Sequence, residues 1–410
     1  TTANPFGIAG GRNAGAVSGE SNVGGIAGQM GAFVSLNACE NTGDITATGT
    51  AAGGIVGLAG AGNASTYNKI TACSNTGRVS GTVNVGGIAG SVGNYTDFGS
   101  AGDAGDADAN VNIGEIAGEF DGTINSARIG IGGIVGAAGT YARFYQNRNQ
   151  GAVNGSIVNT GYNSIAGVGG LAGRTDQRAE FHTCTNAGVV TGSVSSAGSN
   201  STAGLGGIAG VVSSGNMMTN GAANATIQNC KNTGTVSGNA EGTGSGGSGV
   251  GGVAGVTGTG GSFKACANEG TVQGTMKPYI GGVAGILGAN SSVECSYHTG
   301  VVMVTGKAVA SGVGGITGCN GATSSSVKNS YSIGEVKVTG STFAPSVGGI
   351  TGALLDGNSN NYFYKHRVLV GLEEGTLSVP DQTGDELIGG RDIPVEDGAC
   401  ESGELAWRLD

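Results

Sequence analysis

Residues 73–90 read CSNTGRVSGTVNVGGIAG, and this stretch contains both halves of a unit that recurs along the chain. Blocks of the GGIAG type stand at residues 24–28, 53–57, 86–90, 132–136, 169–173, 206–210, 251–255, 281–285, 314–318 and 348–352. Blocks of the CxNTGxVxG type alternate with them, at residues 39–49, 73–81, 184–192, 230–238 and 266–274, with degenerate copies at 110–118, 147–155, 296–306 and 330–340. We interpret FGIAG at residues 6–10 as a degenerate copy of the first block. Such a period, about 29 residues at its shortest, predicts stacked supersecondary units.

The composition favours strands. The chain has 410 residues, of which 88 are glycine and five are proline, and only 11% are charged. Its apolar residues are mainly Ala, Val and Ile, and β-branched residues suit a pleated surface. Two other classes of glycine-rich chain are excluded. Collagen needs far more proline, and a disordered chain would not place its apolar residues at fixed offsets. We therefore predict an all-β fold, a single long β-solenoid (β-helix) of about ten coils with two or three short strands per coil.

The repeat also predicts which side chains form the core. Stacked coils place equivalent residues above one another, so each inward position becomes a ladder along the axis. The third position of the first block is aliphatic throughout, at Ile26, Ile55, Ile88, Ile134, Leu171, Ile208, Val253, Val283, Ile316 and Ile350. Cys39, Asn41 and Ile45 lie at even offsets and share the inward face. We expect the recurring asparagine to form a buried amide ladder, and the paired glycines to let opposite walls approach closely.

These two alternating blocks resemble the GLUG-motif repeat proteins, which are named for GG(L/I)(V/A)G blocks. The resemblance spans residues 6–352. It implies display on a bacterial surface, often in gut Bacteroidetes, and an adhesive or spacer role. Some relatives carry these repeats beside the catalytic domain of IgA-cleaving metallopeptidases, whose HExxH zinc signature does not occur in this chain.

The composition changes after Gly352, where Tyr362, Phe363 and Tyr364 follow one another and carboxylates become frequent. The last coil of a solenoid exposes apolar surface and unpaired strand edges that need a cover. We therefore divide the chain into solenoid repeats over residues 1–352 and a C-terminal cap, or the start of a linker to a further module, over 353–410. Further domains of the same polypeptide are possible partners.

Cysteines and acidic residues offer few metal ligands. Cys39, Cys73, Cys184, Cys230 and Cys266 share one repeat position, which favours reduced core thiols over disulfides or zinc. The densest acidic segment is GDAGDADAN, where Asp103, Asp106 and Asp108 could supply oxygen ligands to calcium. Their spacing lacks the EF-hand order, so a solvated loop is the favoured interpretation. We predict no cofactor.

The charge and motif content limit the function classes. A net charge of −10 without a basic cluster argues against nucleic acid. The sequence contains no run of 18 apolar residues, so we expect no membrane-spanning segment. Because this sequence opens at Thr1, we expect it to contain no signal or lipoprotein leader. The three histidines stand outside nucleophile motifs. We expect a non-catalytic extracellular or cell-surface module, adhesin-like or a rigid spacer, with a polysaccharide-degrading β-helix enzyme as the alternative.

Four consecutive coils are longer than the others between the second block and the next first block, at residues 114–132, 151–169, 188–206 and 234–251. Insertions in stacked repeats project from one face, which is often the binding face. We predict a lateral ridge in the middle of the rod that contacts a host or microbial surface glycan or protein. Its exposed groups would include Tyr162, Asn163, Asn200 and Glu241. Alternatively, the insertions only add a short extra strand to each coil for support.

Overall fold

The protein is described by a computed structural model covering residues 6–101, 105–212, 224–243, 247–275, 278–305, 312–320, 324–341, 346–353, 358–363, 367–372 and 385–386. These residues form five parallel sheets that run side by side along one axis. Each turn of the chain contributes one strand to each sheet in a fixed order, and we name the sheets A to E in that order. The predicted all-β solenoid is therefore confirmed.

Short strands make up all five sheets. Sheet A contains Phe6–Ala9, Val34–Asn37, Asn68–Thr71, Thr96–Phe98, Arg143–Tyr145, Glu180–His182, Thr226–Gln228, Ser262–Lys264, Ser292–Glu294 and Ser326–Lys328. Sheet B contains Arg12–Asn13, Glu40–Asn41, Ser74–Asn75, Val111–Asn112, Arg148–Asn149, Thr185–Asn186, Lys231–Asn232, Ala267–Asn268, Tyr297–His298, Tyr331–Ser332, Tyr362–Phe363 and Asp385–Glu386. Sheet C contains Val17–Gly19, Ile45–Ala47, Val79–Gly81, Ile116–Gly122, Val153–Asn159, Val190–Ser196, Val236–Gly242, Val272–Gly274, Val301–Thr305, Glu335–Ser341 and Val368–Leu372.

The two remaining sheets flank the GGIAG-type blocks. Sheet D contains Val23–Gly24, Ala52–Gly53, Asn84–Gly86, Arg128–Gly132, Ile165–Gly169, Thr202–Gly206, Ser248–Gly251, Tyr279–Gly281, Gly312–Gly314 and Ser346–Gly348. Sheet E contains Ala27–Met30, Val56–Ala59, Ala89–Val92, Val135–Ala138, Ala172–Thr175, Ala209–Val212, Ala254–Thr257, Ala284–Leu287 and Thr317–Asn320. Within the described ranges, the one helical segment is a 3-10 turn at Gly105–Asp108.

The number of strands per coil was predicted wrongly. Each complete coil has five strands instead of two or three, because many strands are only two to four residues long and separated by sharp corners. Between sheets A and B the corner residue is left-handed in coil after coil, for example Ala72 at φ 53° and Thr183 at φ 56°. A two-residue strand between two such corners shows no readable alternation of polar and apolar residues.

The interpretation of residues 6–10 was also wrong. Phe6–Ala9 belongs to sheet A and pairs with Val34–Asn37, whereas the GGIAG-type blocks connect sheets D and E. The sequence similarity between FGIAG and GGIAG therefore does not reflect an equivalent position in the coil.

The predicted aliphatic ladder forms part of the core. Its members from Ile55 to Ile350 are fully buried, and Ile26 at the exposed first coil packs against them partly buried. Sheet A adds an inward aromatic stack, in which Phe144 lies 4.8 Å from Phe98 and 4.4 Å from Phe181 between ring centroids. This stack fills the middle of the rod with larger side chains.

Glycine is required where sheets D and E approach each other. A Cβ atom on Gly130 would lie 1.9 Å from the carbonyl oxygen of Gly136, and one on Gly132 would lie 2.3 Å from that of Val135. No other residue fits at such a distance from a backbone oxygen. The predicted close approach of two walls is therefore present at the GGIAG-type turn.

The predicted asparagine ladder runs along the inner side of sheet B. Asn41, Asn75, Asn112, Asn149, Asn186, Asn232 and Asn268 are buried, and each donates its amide to the carbonyl oxygen two residues on. The second amide hydrogen of each residue from Asn41 to Asn232 goes to the Oδ1 of the next asparagine, at 2.7–2.8 Å. The ladder ends at His298, whose Nδ1 lies 3.0 Å from Asn268 Nδ2.

His298 makes the stability of the C-terminal coils dependent on pH. Burial lowers the pKa of its imidazole to about 4, and its Nε2 is buried without a partner. The unfolded chain therefore takes up a proton as the pH falls from about 6.5 towards 4 while the folded chain does not. Over this range we expect a progressive loss of stability, up to about 3 kcal/mol. Replacing His298 by asparagine should remove this loss.

Denaturant unfolding across that pH range tests the expectation. The control is His182→Asn, because the His182 side chain is partly exposed on sheet A. A His298→Asn protein with the same pH dependence as the wild type would contradict the role assigned to this histidine.

The five cysteines at the shared repeat position are buried free thiols, as predicted, and Cys319 is also free. Burial raises the pKa of the Cys266 thiol to about 12, so it stays protonated and unreactive. Cys295, which is not one of the five predicted core thiols, is disulfide-bonded. Cys295 occupies the left-handed corner between sheets A and B, one residue before the buried position, and so lies off the thiol ladder.

Residues beyond Gly352 continue the stack where they are described. Tyr362–Phe363 pairs with Tyr331–Ser332, and Val368–Leu372 pairs with Glu335–Ser341. Phe363 is buried, with its ring against Gly349. The division into solenoid repeats and a C-terminal cap stays a prediction. Tyr364 and residues 387–410 lie outside the described residues.

Candidate functional site

Four long coils form a lobe on one side of the solenoid, which we define as residues 119–130, 156–167, 193–204, 239–243 and 247–249. Sheet C strands have seven residues in these coils and pair in continuous register, as between Val153–Asn159 and Val190–Ser196. The sheet D strands that return from the lobe are also aligned. The structure therefore brings the four predicted segments together on the same side of the rod.

The lobe has its own packed interior. Ile157, Val194 and Ala240 are buried in one row, and Ala166 and Ala203 face them from sheet D. Buried hydroxyls complete the tip, where the Ser164 amide donates to Ser201 Oγ at 3.2 Å. The insertions thus lengthen existing strands of sheets C and D and do not add the short extra strand that the supporting alternative expected.

The four predicted ridge residues lie at different places in the lobe. Tyr162 is at the tip with half of its surface exposed, and Asn163 and Asn200 are exposed corner residues with φ of 53° and 56°. Asparagine is favoured in that left-handed conformation, which accounts for both positions without a ligand. Glu241 lies away from the tip, paired with Ser195 in sheet C and accepting a hydrogen bond from Asn239.

A shallow trough runs along the outer face of sheet C beside the lobe, with a volume of about 740 Å³. One side is a row of outward side chains that are aligned from coil to coil, at Thr46, Ser80, Ala117, Asn154 and Thr191. The other side is formed by Thr48, Thr82, Glu119, Ser156 and Ser193. Glycines 81, 118, 155 and 192 stand between the two rows.

Buried neighbours explain the glycine line. A Cβ on Gly118 would lie 2.4 Å from Ile131 Cδ1, and one on Gly155 would lie 2.4 Å from Val168 Cγ2. Sheet C therefore lies directly on the aliphatic side chains of sheet D, and the missing side chains bring its backbone close to the core. The trough was not predicted. The sequence feature that indicates it is the residue between Val and Gly in the second block, which is usually polar.

Charges at the trough are few and mostly paired. Arg78 lies 3.5 Å from Glu115, and Glu115 also accepts a hydrogen bond of 2.9 Å from Asn154. Thr46 and Ser80 share a hydrogen bond of 3.1 Å. The walls are therefore largely neutral and hydroxyl-rich, which suits a ligand that is bound by many weak polar contacts.

A second cluster, of aromatic and charged residues, lies on the outer face of sheet A. The Arg143 guanidinium binds both carboxylate oxygens of Asp97, at 2.7 and 2.9 Å, and lies 3.8 Å from the Tyr67 ring centroid. Tyr95 and Tyr141 stack at 4.7 Å, with Arg178 against the latter. Because these groups cover one another's faces, the cluster braces neighbouring coils and offers no open platform to a ligand.

The described residues contain no arrangement of ligands that supports the calcium hypothesis. Asp103 lies outside the described residues, and the side chain of Asp106 does too. Asp108 is the last residue of the 3-10 turn, and its carbonyl oxygen accepts a hydrogen bond from the Ala72 amide. Among the residues that the structure describes, no group of three His, Cys, Asp or Glu side chains could hold a metal ion.

Comparisons with known proteins include a similarity to a distant solved structure. No sequence profile of a known family matches the chain, and no curated protein matches it. A solved chain described as a "putative immunoglobulin A1 protease from Bacteroides ovatus" is similar, at 20% identity and a TM-score of 0.36. The alignment covers 79% of this chain and 82% of that one. Similarity to the GLUG-motif proteins therefore stays a prediction.

Proposed function

We propose that the chain is a non-catalytic repeat module, displayed on a bacterial surface or secreted, that binds a glycan or protein of a host or microbial surface. The observation that carries this proposal is the trough, which extends over five consecutive coils and is bordered by the lobe. A stack of coils also makes a stiff rod, so the same module serves as a spacer.

The contacts at the trough support binding over chemistry. Arg78, Glu115 and Asn154 hold one another in place, so their polar groups are engaged within the wall. Exposed hydroxyls such as Ser156, Thr191 and Ser193 are good hydrogen-bond partners but weak acids and bases. An enzyme of the β-helix type would need an acid and a base aimed into the trough.

The proposed location outside the cell follows from the resemblance to surface repeat proteins. Within the described part of the chain, no helix has the length and apolar character to cross a bilayer. The net charge of −10 would repel the phosphate backbone of a nucleic acid, which supports a glycan or protein partner.

Replacing Ser193 by tryptophan tests the site. Ser193 is exposed on the trough wall, so the indole fills the trough without disturbing the core. We expect wild-type protein to bind ligands on an array of host and microbial glycans and matrix proteins, and the variant to bind at least tenfold more weakly. The matched control is Ser262→Trp on the outer face of sheet A. Tyr162→Ala, measured in parallel, reports whether the lobe tip contributes.

Three outcomes would change the conclusion. Wild-type protein that binds nothing on the array would leave only the spacer role. Equal binding by the Ser193→Trp and wild-type proteins would remove the trough as the site. Release of soluble sugars from an arrayed polysaccharide would support the alternative, a polysaccharide-degrading enzyme.

A further inference from the structure

The trough presents the same two rows of side-chain positions at successive coils. Along one wall, Ser80, Ala117, Asn154 and Thr191 are direct neighbours across adjacent strands. Along the other wall, Glu119, Ser156 and Ser193 are neighbours in the same way. Adjacent strands are about 4.8 Å apart, so these positions recur at that spacing in a straight line parallel to the axis, with a polar side chain at each of them except Ala117. A ligand that uses several of these contacts must itself be extended and periodic.

Charge narrows the class of ligand. Two charged residues, Arg78 and Glu119, line the trough, and Arg78 is paired with Glu115. Eight of the other lining side chains are uncharged hydroxyls or amides, at Thr46, Thr48, Ser80, Thr82, Asn154, Ser156, Thr191 and Ser193. A polyanion would meet no cationic row here, and the net charge of −10 would oppose it. A polycation would find no carboxylate row along these walls.

The floor adds an apolar component. Glycine backbone and threonine methyl groups lie between and beside the hydroxyls, so the surface alternates carbon with hydrogen-bonding groups. A pyranose ring presents the same alternation, with C–H groups on its faces and hydroxyls at its edge. One sugar residue of an extended chain is also comparable in length to the rise of one coil.

From these three observations we propose that the trough binds one strand of an uncharged polysaccharide, lying parallel to the solenoid axis with about one sugar residue per coil. This inference rests on the proposed function, because it names the ligand class and its direction at the same site. The register between sugar and coil makes affinity depend on ligand length.

A length series of soluble neutral oligosaccharides, of both β-linked and α-linked glucose, xylose and mannose, tests the proposal by calorimetry. We expect at least one series to bind, with affinity rising with each added sugar and levelling off once the chain spans the five coils that line the trough. Ser156→Trp, in the middle of the trough, should weaken the longest ligand at least tenfold, whereas Ser262→Trp should bind like the wild type. Far-UV circular dichroism verifies that both variants are folded.

The results separate this inference from the broader proposal. One outcome is that the wild type binds a protein ligand but no oligosaccharide, and that Ser193→Trp no longer binds this protein ligand. It would overturn the polysaccharide assignment and leave the binding function intact. Affinity that does not change with oligosaccharide length would overturn the axial arrangement. Tighter, salt-dependent binding of a charged polysaccharide would overturn the assignment to neutral glycans. A wild-type protein that binds neither a glycan nor a protein would overturn both binding proposals.

Discussion

Replacing Gly170 by alanine is expected to destabilise the middle of the solenoid by about 3 kcal/mol or more. A Cβ at this position would lie 1.9 Å from the carbonyl oxygen of Gly207 and 2.4 Å from Cγ of Asn186. The first atom is backbone of the next coil, and the second belongs to the buried amide ladder. Neither can move without separating two coils, so the added methyl group breaks hydrogen bonds in both sheets that meet there.

Denaturant unfolding followed by far-UV circular dichroism measures this effect. Gly31→Ala is the matched control, because a Cβ on Gly31 meets nothing within 4 Å. We expect the control to unfold at the wild-type midpoint and Gly170→Ala at a clearly lower denaturant concentration. Identical midpoints for the two variants would show that the coils can shift to accommodate a side chain.

Replacing Asn186 by leucine is expected to cost roughly 3 to 6 kcal/mol, because it leaves three buried polar groups without a partner. Asn186 accepts a hydrogen bond from Asn149 and donates to the Gly188 carbonyl and to Asn232 Oδ1, at 2.8–2.9 Å. Leucine is similar in size but can make none of these contacts. The loss falls on the centre of the ladder, where neighbouring coils lie on both sides.

Thr185→Leu is the matched control, since Thr185 is the outward neighbour in the same two-residue strand. Hydrogen exchange in the native state locates the effect: amides of the coils around Asn186 should lose protection in Asn186→Leu and keep it in Thr185→Leu. Uniform protection in both variants would contradict the importance of the amide ladder for stability.

Much of the fold could be predicted from the repeat alone. Identical residues at a fixed offset, such as Asn149 and Asn186, must stack in any solenoid, so the buried ladders followed without knowledge of the coil shape. The outline of the coil did not follow, because a two-residue strand like Thr185–Asn186 has no period to read. The lobe was visible as extra length, but its predicted exposed residues Asn163 and Asn200 are accounted for by backbone conformation.

The trough was harder to predict, because it depends on which way each strand faces and on what lies behind it. In the sequence, Gly118 and Gly155 are recognisable only as recurring positions of the second block. In the structure, Ile131 and Val168 occupy the space that a side chain at these positions would need. The disulfide at Cys295 was not predicted, because this cysteine is shifted by one residue from the repeat position that the five core thiols share. That shift moves the sulfur from the core position to a corner.

The same close packing explains why the two sequence blocks always occur together. The second glycine of each GGIAG-type block faces the ladder side chain that follows it along the chain, as Gly133 faces Asn149 and Gly207 faces Asn232. The amide occupies the space that a side chain on the glycine would take. Each block therefore constrains the other, although more than ten residues separate them along the chain.

Hydrogen bonds between coils run along the axis, and this determines how the rod responds to a pulling force. All five sheets of a coil share the load, so the rod resists tension until one end coil gives way as a unit. A middle coil contains 37 residues, taken as the separation of Asn149 and Asn186. Its release adds about 120 to 130 Å of extended chain while removing only about 4.8 Å of rod. Under load, this architecture would lengthen in discrete steps and dissipate work at each one, leaving the remaining coils intact.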